Sequence, residues 1–235
     1  MKKDSLLLRY LEEQPFVDMF MQGHIRLNSL GFFWGEHDEA TKDGQIDASE
    51  GIVCGIDPKS RKDCARAYGY QFCNLLCCHK LDYVTINDTI GWYTNDYMTK
   101  FGDYVVIIKD KEEFQKRLVR AAAKLGYKCG CNSVNYMDRV ATDRDCFDKP
   151  AEYAYQNEWR VALYRGFTDG KACILDIGTI DDIAECCLTP RLNRTLEDIF
   201  RRHDFVPSND HYYGNIDRYD LCRLFCGLSD IGFTA

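Results

Sequence analysis

The stretch Tyr104-Val-Val-Ile-Ile-Lys-Asp-Lys-Glu-Glu-Phe-Gln-Lys-Arg-Leu-Val-Arg-Ala-Ala-Ala-Lys-Leu125 decides the fold class. Tyr104 to Ile108 is an unbroken apolar run of strand length. Asp110 then offers an N-cap carboxylate, and Phe114, Leu118, Ala121, Ala122 and Leu125 recur as one stripe along a helix from Lys111 to Leu125. A strand feeding straight into an amphipathic helix calls for a sheet with helices packed against it.

Working outward, Leu6 to Tyr10 reads as a strand. Gln14 to Gln22 places Phe16, Met19 and Phe20 on one helical face before Gly23 ends it, and His24 to Leu30 sets His24, Arg26 and Asn28 against Ile25, Leu27 and Ser29. Downstream, Gln71 to His79, Tyr83 to Ile86, Tyr127 to Tyr136, Tyr153 to Tyr164, Ala172 to Ile177 and Ile183 to Leu188 read as strands. Helices are predicted near Thr195 to His203 and Tyr219 to Leu228. Gly35 to Gly51 is an acidic loop and Asp138 to Lys149 a charged connection, while Trp92 to Lys100 is too mixed to assign. The sum is an α+β chain with mixed, mainly antiparallel sheets and flanking helices. With five scattered prolines, no repeat and no low-complexity linker, residues 1–235 read as a single domain. Neither GxGxxG nor GxxxxGK[ST] occurs, so a doubly wound nucleotide fold is not indicated.

Composition narrows the function. At 46% hydrophobic and 29% charged the chain has the make-up of a folded protein, not of a disordered one. No apolar run approaches the roughly 18 residues that span a bilayer, and Leu6 to Leu8 is too short for a signal peptide, so the expected location is the cytoplasm, with no membrane partner. Thirteen cysteines, an odd number in a long chain without an export signal, read as thiols. Cys73, Cys77, Cys78 and His79 cluster, Cys129 and Cys131 form a Cys-x-Cys pair, Cys186 and Cys187 a doublet, and Cys222 and Cys226 stand at helical spacing. No Cys-x-x-Cys pair occurs, and no metal ligand set is assigned. A net charge of -7 speaks against nucleic acid as the default partner.

In Glu152-Tyr-Ala-Tyr-Gln-Asn-Glu-Trp-Arg160 a period of two sends Tyr153, Tyr155, Asn157 and Trp159 to one side. Glu152, Gln156, Glu158 and Arg160 go to the other. A charged strand face is ordinarily the solvated side of an antiparallel sheet, and the alternative is the lining of a cleft. In the second case Gln156 and Glu158 form the Gln-x-Glu pair of ADP-ribosyltransferases, in which a carboxylate stabilises the oxocarbenium-like ribose as nicotinamide leaves NAD.

Four segments carry a resemblance: His24-Ile-Arg-Leu-Asn-Ser-Leu-Gly-Phe-Phe-Trp34, Asp43-Gly-Gln-Ile-Asp-Ala-Ser-Glu-Gly51, Tyr153 to Arg160, and Leu175-Asp-Ile-Gly-Thr-Ile-Asp-Asp-Ile-Ala184. They resemble an uncharacterised bacterial domain family with a Gly-x-Leu-Arg-Phe-Asn-Ser-Leu strand, an acidic turn and a Tyr-x-x-Glu-x-Glu-x-Arg strand. The order of these pieces is also similar to that of ADP-ribosyltransferases: an early strand with Arg, a helix, a strand with a small hydroxyl residue and a late strand with Glu. The middle Ser-Thr-Ser or aromatic nicotinamide-binding motif of those enzymes is not recognisable in this sequence.

The resemblance implies an ADP-ribosyltransferase-like fold and an NAD-dependent transferase or NAD glycohydrolase, acting as a bacterial toxin or defence effector with NAD as substrate. Its acceptor, protein, nucleic acid or water, is left open. Glu158 would stabilise the ribosyl cation and Gln156 would orient the acceptor. Arg9 would meet the NAD phosphates or ribose, Ser29 would support the nicotinamide, and Tyr153 would complete the cofactor contacts. Arg9 has an equal alternative in tying the N-terminal strand to a carboxylate. His24, Arg26 and Asn28 form a polar row that either lines a cleft or faces water. Asn209 to Asn215, polar and aromatic, suits a loop over a cleft. The competing reading, from another class, is a non-catalytic protein-interaction module.

Overall fold

Leu6, Leu7 and Leu8 are all fully buried at successive positions, so their strand is covered on both faces. The coordinates are a computed structural model that describes residues 5–33, 73–86, 89–94, 96–137, 146–166 and 170–202. Its elements run β1 (Ser5–Leu11), α1 (Gln14–Met21), β2 (His24–Ser29), α2 (Leu30–Phe33), β3 (Cys73–Ile86), β4 (Thr89–Trp92), β5 (Tyr104–Ile108), α3 (Lys111–Lys124), β6 (Lys128–Ser133), β7 (Asn135–Met137), β8 (Asp148–Pro150), β9 (Glu158–Tyr164), β10 (Cys173–Asp176), β11 (Ala184–Leu188) and α4 (Leu192–Arg202). The acidic loop Gly35 to Gly51, the aromatic segment Asn209 to Asn215, the helix at Tyr219 to Leu228 and the pair Cys222 and Cys226 lie outside the described residues.

The class is α+β. Among the described residues nine strands form one open sheet, ordered β10-β2-β3-β1-β5-β11, with β9 between β3 and β6 and with β4 on the far end of β3. Every ladder in it is antiparallel. A short parallel pair, β7 with β8, stands apart. No helix among the described residues is long and apolar enough to cross a membrane.

Each sheet face is covered differently. On the first, α1 and α3 bury Val17, Phe20, Phe114, Leu118 and Ala122 against Leu7, Val106, Trp159, Val161 and Leu163. Asp110 caps α3, its carboxylate accepting from the Glu113 N–H at 3.0 Å. On the second, α4 packs Leu192, Leu196 and Ile199 over Leu6, Leu8 and Ile107 at one end, while Leu30 and Phe33 pack with Leu75 and Ala162 at the other. Full burial of each Leu or Phe stabilises the fold by roughly 1.5–3 kcal/mol.

The strand β3 sets where a hollow can form. His79 is opposite Leu8 of β1 and also opposite Glu158 of β9, so β1 and β9 take opposite edges. Leu75 is opposite both Asn28 of β2 and Ala162 of β9, so β2 shares the edge of β1. Along that edge β1 pairs with Asp82 to His79 and β2 with Leu75 and Asn74. Leu76 to Cys78 lie between them with no ladder on that side. Beyond this gap the two strands splay, β1 toward β5 and β2 toward β10, and α1 joins them.

The strand expected from Tyr153 is shorter at its start. Ala151–Gln156 is a 3-10 turn, and β9 begins only at Glu158. Asn157 between them is left-handed, with φ of 38°, and among the described residues with φ above zero it is the one that is not glycine. Its amide donates to the Lys80 oxygen and to Asp82, and its own carbonyl accepts from the Lys80 N–H at 2.7 Å. Asn tolerates this conformation because its short polar side chain bonds locally. Asn157→Val should therefore lower stability by about 2 kcal/mol or more, and Asn157→Gly by clearly less, since glycine adopts the same φ without strain. Denaturant unfolding of both variants tests this: equal losses would rule out a conformational cause.

Candidate functional site

The splay between β1 and β2 opens onto a cavity of about 720 Å³, lined by Phe16, Met19 and Phe20 of α1 on the first sheet face and by side chains of the second, within the range of small-molecule sites. Its lining draws on both small clusters of that face, with Leu8, Tyr10 and Met98 toward α4 and Phe33 and Cys77 toward α2. Gln156, Glu158 and Arg160 form its inner wall and are 3%, 7% and 1% exposed. The polar face of the late strand is thus buried at a cavity and is not the solvated ladder expected of such a face.

Glu158 is the centre of this wall. Its Oε1 accepts from Lys149 Nζ at 2.6 Å and its Oε2 from Arg160 Nε at 2.7 Å. Lys149 also donates to the Gln156 side-chain oxygen at 2.7 Å and stands 4.9 Å over the Tyr153 ring. Arg160 donates a second bond to the Cys146 carbonyl at 2.6 Å, and the Glu158 N–H donates to the Tyr136 hydroxyl at 2.8 Å. Burial alone would raise the carboxyl's pKa. The adjoining charges of Arg160 and Lys149, with their hydrogen bonds, overrule it and hold the group at about 2. Glu158 is therefore an anion at every physiological pH, able to stabilise positive charge but not to carry a proton.

Arg9 meets this wall from β1. Its guanidinium donates to the Cys77 carbonyl at 2.9 Å, filling the gap that β1 and β2 leave along β3, and it lines the cavity. Its Nε is buried without a hydrogen-bond partner among the described residues, a donor that a ligand oxygen could satisfy. Among the described residues the partner of the Arg9 guanidinium is the Cys77 main-chain oxygen and not the carboxylate of the equal alternative. His24, Arg26 and Asn28 project from the other side of the splay and also line the cavity. Phe16, Met19 and Ile174 form an exposed apolar rim.

Two expected residues fall elsewhere. Ser29 is on the buried face of β2 with Ile25 and Leu27, and its hydroxyl donates to the Gly170 oxygen at 2.9 Å. Tyr153 lies in the 3-10 turn, under Lys149 and outside the cavity lining. The structure thus brings together Arg9, Gln156 and Glu158. It adds Lys149, which sequence reading left in a charged connection, and His79, which it counted among the cysteines. Among the described residues no three His, Cys, Asp or Glu side chains converge as a metal site.

The chain matches no protein-family model, no curated protein and no solved structure.

The depressed pKa of Glu158 has a thermodynamic consequence. A carboxyl held at about 2 in the folded state, against its ordinary 4.5, stabilises the fold above pH 4.5, and this contribution fades as pH falls toward 2. Glu158→Gln leaves Lys149 and Arg160 buried beside a neutral group and should cost about 3–5 kcal/mol near neutrality. Unfolding curves of both proteins between pH 7 and pH 2 should show that gap narrowing below pH 4.5. A gap independent of pH would mean that the carboxylate charge contributes nothing.

Proposed function

We propose that this chain cleaves the nicotinamide–ribose bond of NAD, as an ADP-ribosyltransferase-like enzyme or NAD glycohydrolase. The observation that carries the reading is that Arg9, Gln156 and Glu158, drawn from opposite ends of the described sequence, line one cavity. As nicotinamide leaves, the ribose C1′ becomes positive. A fixed, permanently ionised carboxylate such as Glu158 lowers the energy of that state, and each of its oxygens retains a second lone pair for a ribose hydroxyl. Arg9 supplies positive charge and an unfilled donor for the pyrophosphate. Arg26, across the splay, adds to that potential. The apolar rim of Phe16, Met19 and Ile174 suits a flat heteroaromatic ring, and Gln156, in the same lining as Glu158, would orient the acceptor.

The exposed rim also favours a second reading, a binding module that docks a protein partner there without chemistry. Ligand-dependent melting separates the two. NAD at one hundred times its dissociation constant should add about 2.7 kcal/mol of stability, and no shift at millimolar NAD supports the module. Arg9→Gln should weaken NAD binding roughly 10–100-fold by loss of a charge-assisted contact. Glu158→Gln, assayed well below its own melting midpoint with its folded spectrum verified, should lose turnover on the order of 100–1000-fold. Wild-type turnover in that folded variant would end the assignment.

A further inference from the structure

His79 lines the cavity, opposite Glu158 on one edge of β3 and opposite Leu8 on the other. Its two ring nitrogens are in different situations. Nδ1 is 2.6 Å from the main-chain oxygen of Gln156. A carbonyl oxygen can only accept, so Nδ1 carries the proton and donates it. In the neutral ring this leaves Nε2 with its lone pair, and Nε2 has no hydrogen bond to any described residue. A cross-strand pair of this kind brings the two β-carbons within about 5.5 Å, so the imidazole and the Glu158 carboxylate share one face of the cavity.

The surroundings keep the ring neutral. Glu158 acts on it from β9 and Lys80 and Asp82 from β3 itself, while Arg160, Lys149, Arg9 and Tyr10 share the cavity lining with it. These charges are of both signs and partly cancel. Burial then has the largest effect and lowers the pKa, outweighing the Gln156 hydrogen bond and the attraction of Asp82 and Glu158.

Glu158 cannot take a proton near neutrality, because its carboxyl is held at about 2. Lysine and arginine enter protonated, and burial pushes the Tyr10 phenol upward. His24 on β2 and the lining carboxylates Glu12 and Glu13 are exposed, away from the buried inner wall. What the inner wall offers as a base is the imidazole.

We propose that His79 is the general base of the site, taking through Nε2 the proton of the hydroxyl or water nucleophile that attacks the nicotinamide ribose. This rests on the NAD reading above. In the step, the nucleophile oxygen bonds to C1′ and the C1′–N bond breaks. Its electron pair returns to the pyridinium ring, nicotinamide leaves neutral, and the nucleophile's proton ends on Nε2. The division of labour is then complete: Glu158 steadies the cation, and His79 makes the nucleophile.

His79→Asn tests this with little disturbance, since the asparagine amide nitrogen can replace Nδ1 as donor to Gln156 while the base is deleted. The readouts are the NAD-induced melting shift and nicotinamide release as a function of pH. In the wild type, release should fall on the acid side, below the ordinary histidine range, as Nε2 is protonated. In His79→Asn the melting shift should persist, the rate should drop on the order of 100–10,000-fold, and the acid limb should vanish. Added imidazole should restore part of the rate. A variant with wild-type rate and pH profile overturns the proposal, and so does one that loses the NAD shift together with the rate, because that marks a binding or folding role. If wild-type protein neither gains stability from NAD nor releases nicotinamide, the NAD reading itself fails, and the base assignment falls with it.

Discussion

The edge of β3 that serves two strands in succession is the constraint on which the site depends. A strand offers two edges, and from Cys73 to His79 β3 gives one of them to β9. On the other, β1 takes the residues up to His79 and β2 those from Leu75 back. Both partners must turn away from each other, because β1 is also held by β5 and β2 by β10. Backbone groups at such a gap need partners, and Arg9 supplies one by donating to the Cys77 carbonyl. The same event makes the hollow and puts a guanidinium in it.

Burying charge at the inner wall is expensive, and the wall is built to meet that expense locally. Two cations and one anion sit within hydrogen-bond distance, and each cation donates a further bond, to the Gln156 side chain and to the Cys146 carbonyl. Such triads are poor contributors to net stability compared with apolar packing of equal volume. Their retention at a cavity is consistent with a task that needs a carboxylate of fixed position and fixed charge. The alternative, a purely structural triad, would be equally served by closing the hollow with apolar side chains. Here it is the wall of an open one.

Parts of the fold were legible in sequence and parts were not, for separable reasons. Tyr104–Ile108 followed by α3 was readable because its signals are local: an apolar run, a capping Asp110, a stripe. So were β1, α1 and β2. The start of β9 was not, because Tyr153, Tyr155, Asn157 and Trp159 alternate like a strand while the left-handed Asn157 is stabilised by Lys80 and Asp82, more than seventy residues away in the chain. Ser29 carried its own warning, since the alternation of β2 already grouped it with Ile25 and Leu27. Its assignment came from position in a pattern and not from the face it occupies. Lys149 left no trace: a lysine beside a proline in a charged connection looks solvated until β8 folds it onto Glu158. The convergence of Arg9 with Glu158 is a property of the split edge, which no local window contains.

Glu158 and His79 stand opposite one another on paired strands, and their protonation states are set by opposing means. Both are buried, and burial disfavours charge in each. For Glu158 two cations at contact distance reverse that effect, so the group is charged; for His79 no single contact does, so the ring is neutral. Two cations, each bonded to one carboxylate oxygen, are what allow an anion and an uncharged imidazole to be neighbours. An ionised carboxylate beside the ring would otherwise draw a proton onto it and fill the lone pair that a base requires. With Lys149 and Arg160 drawing on both carboxylate oxygens, that pull is blunted, and the donor bond from Nδ1 to the Gln156 carbonyl fixes which nitrogen stays open. The difference in protonation between the two groups therefore follows from where two cations and one main-chain oxygen sit.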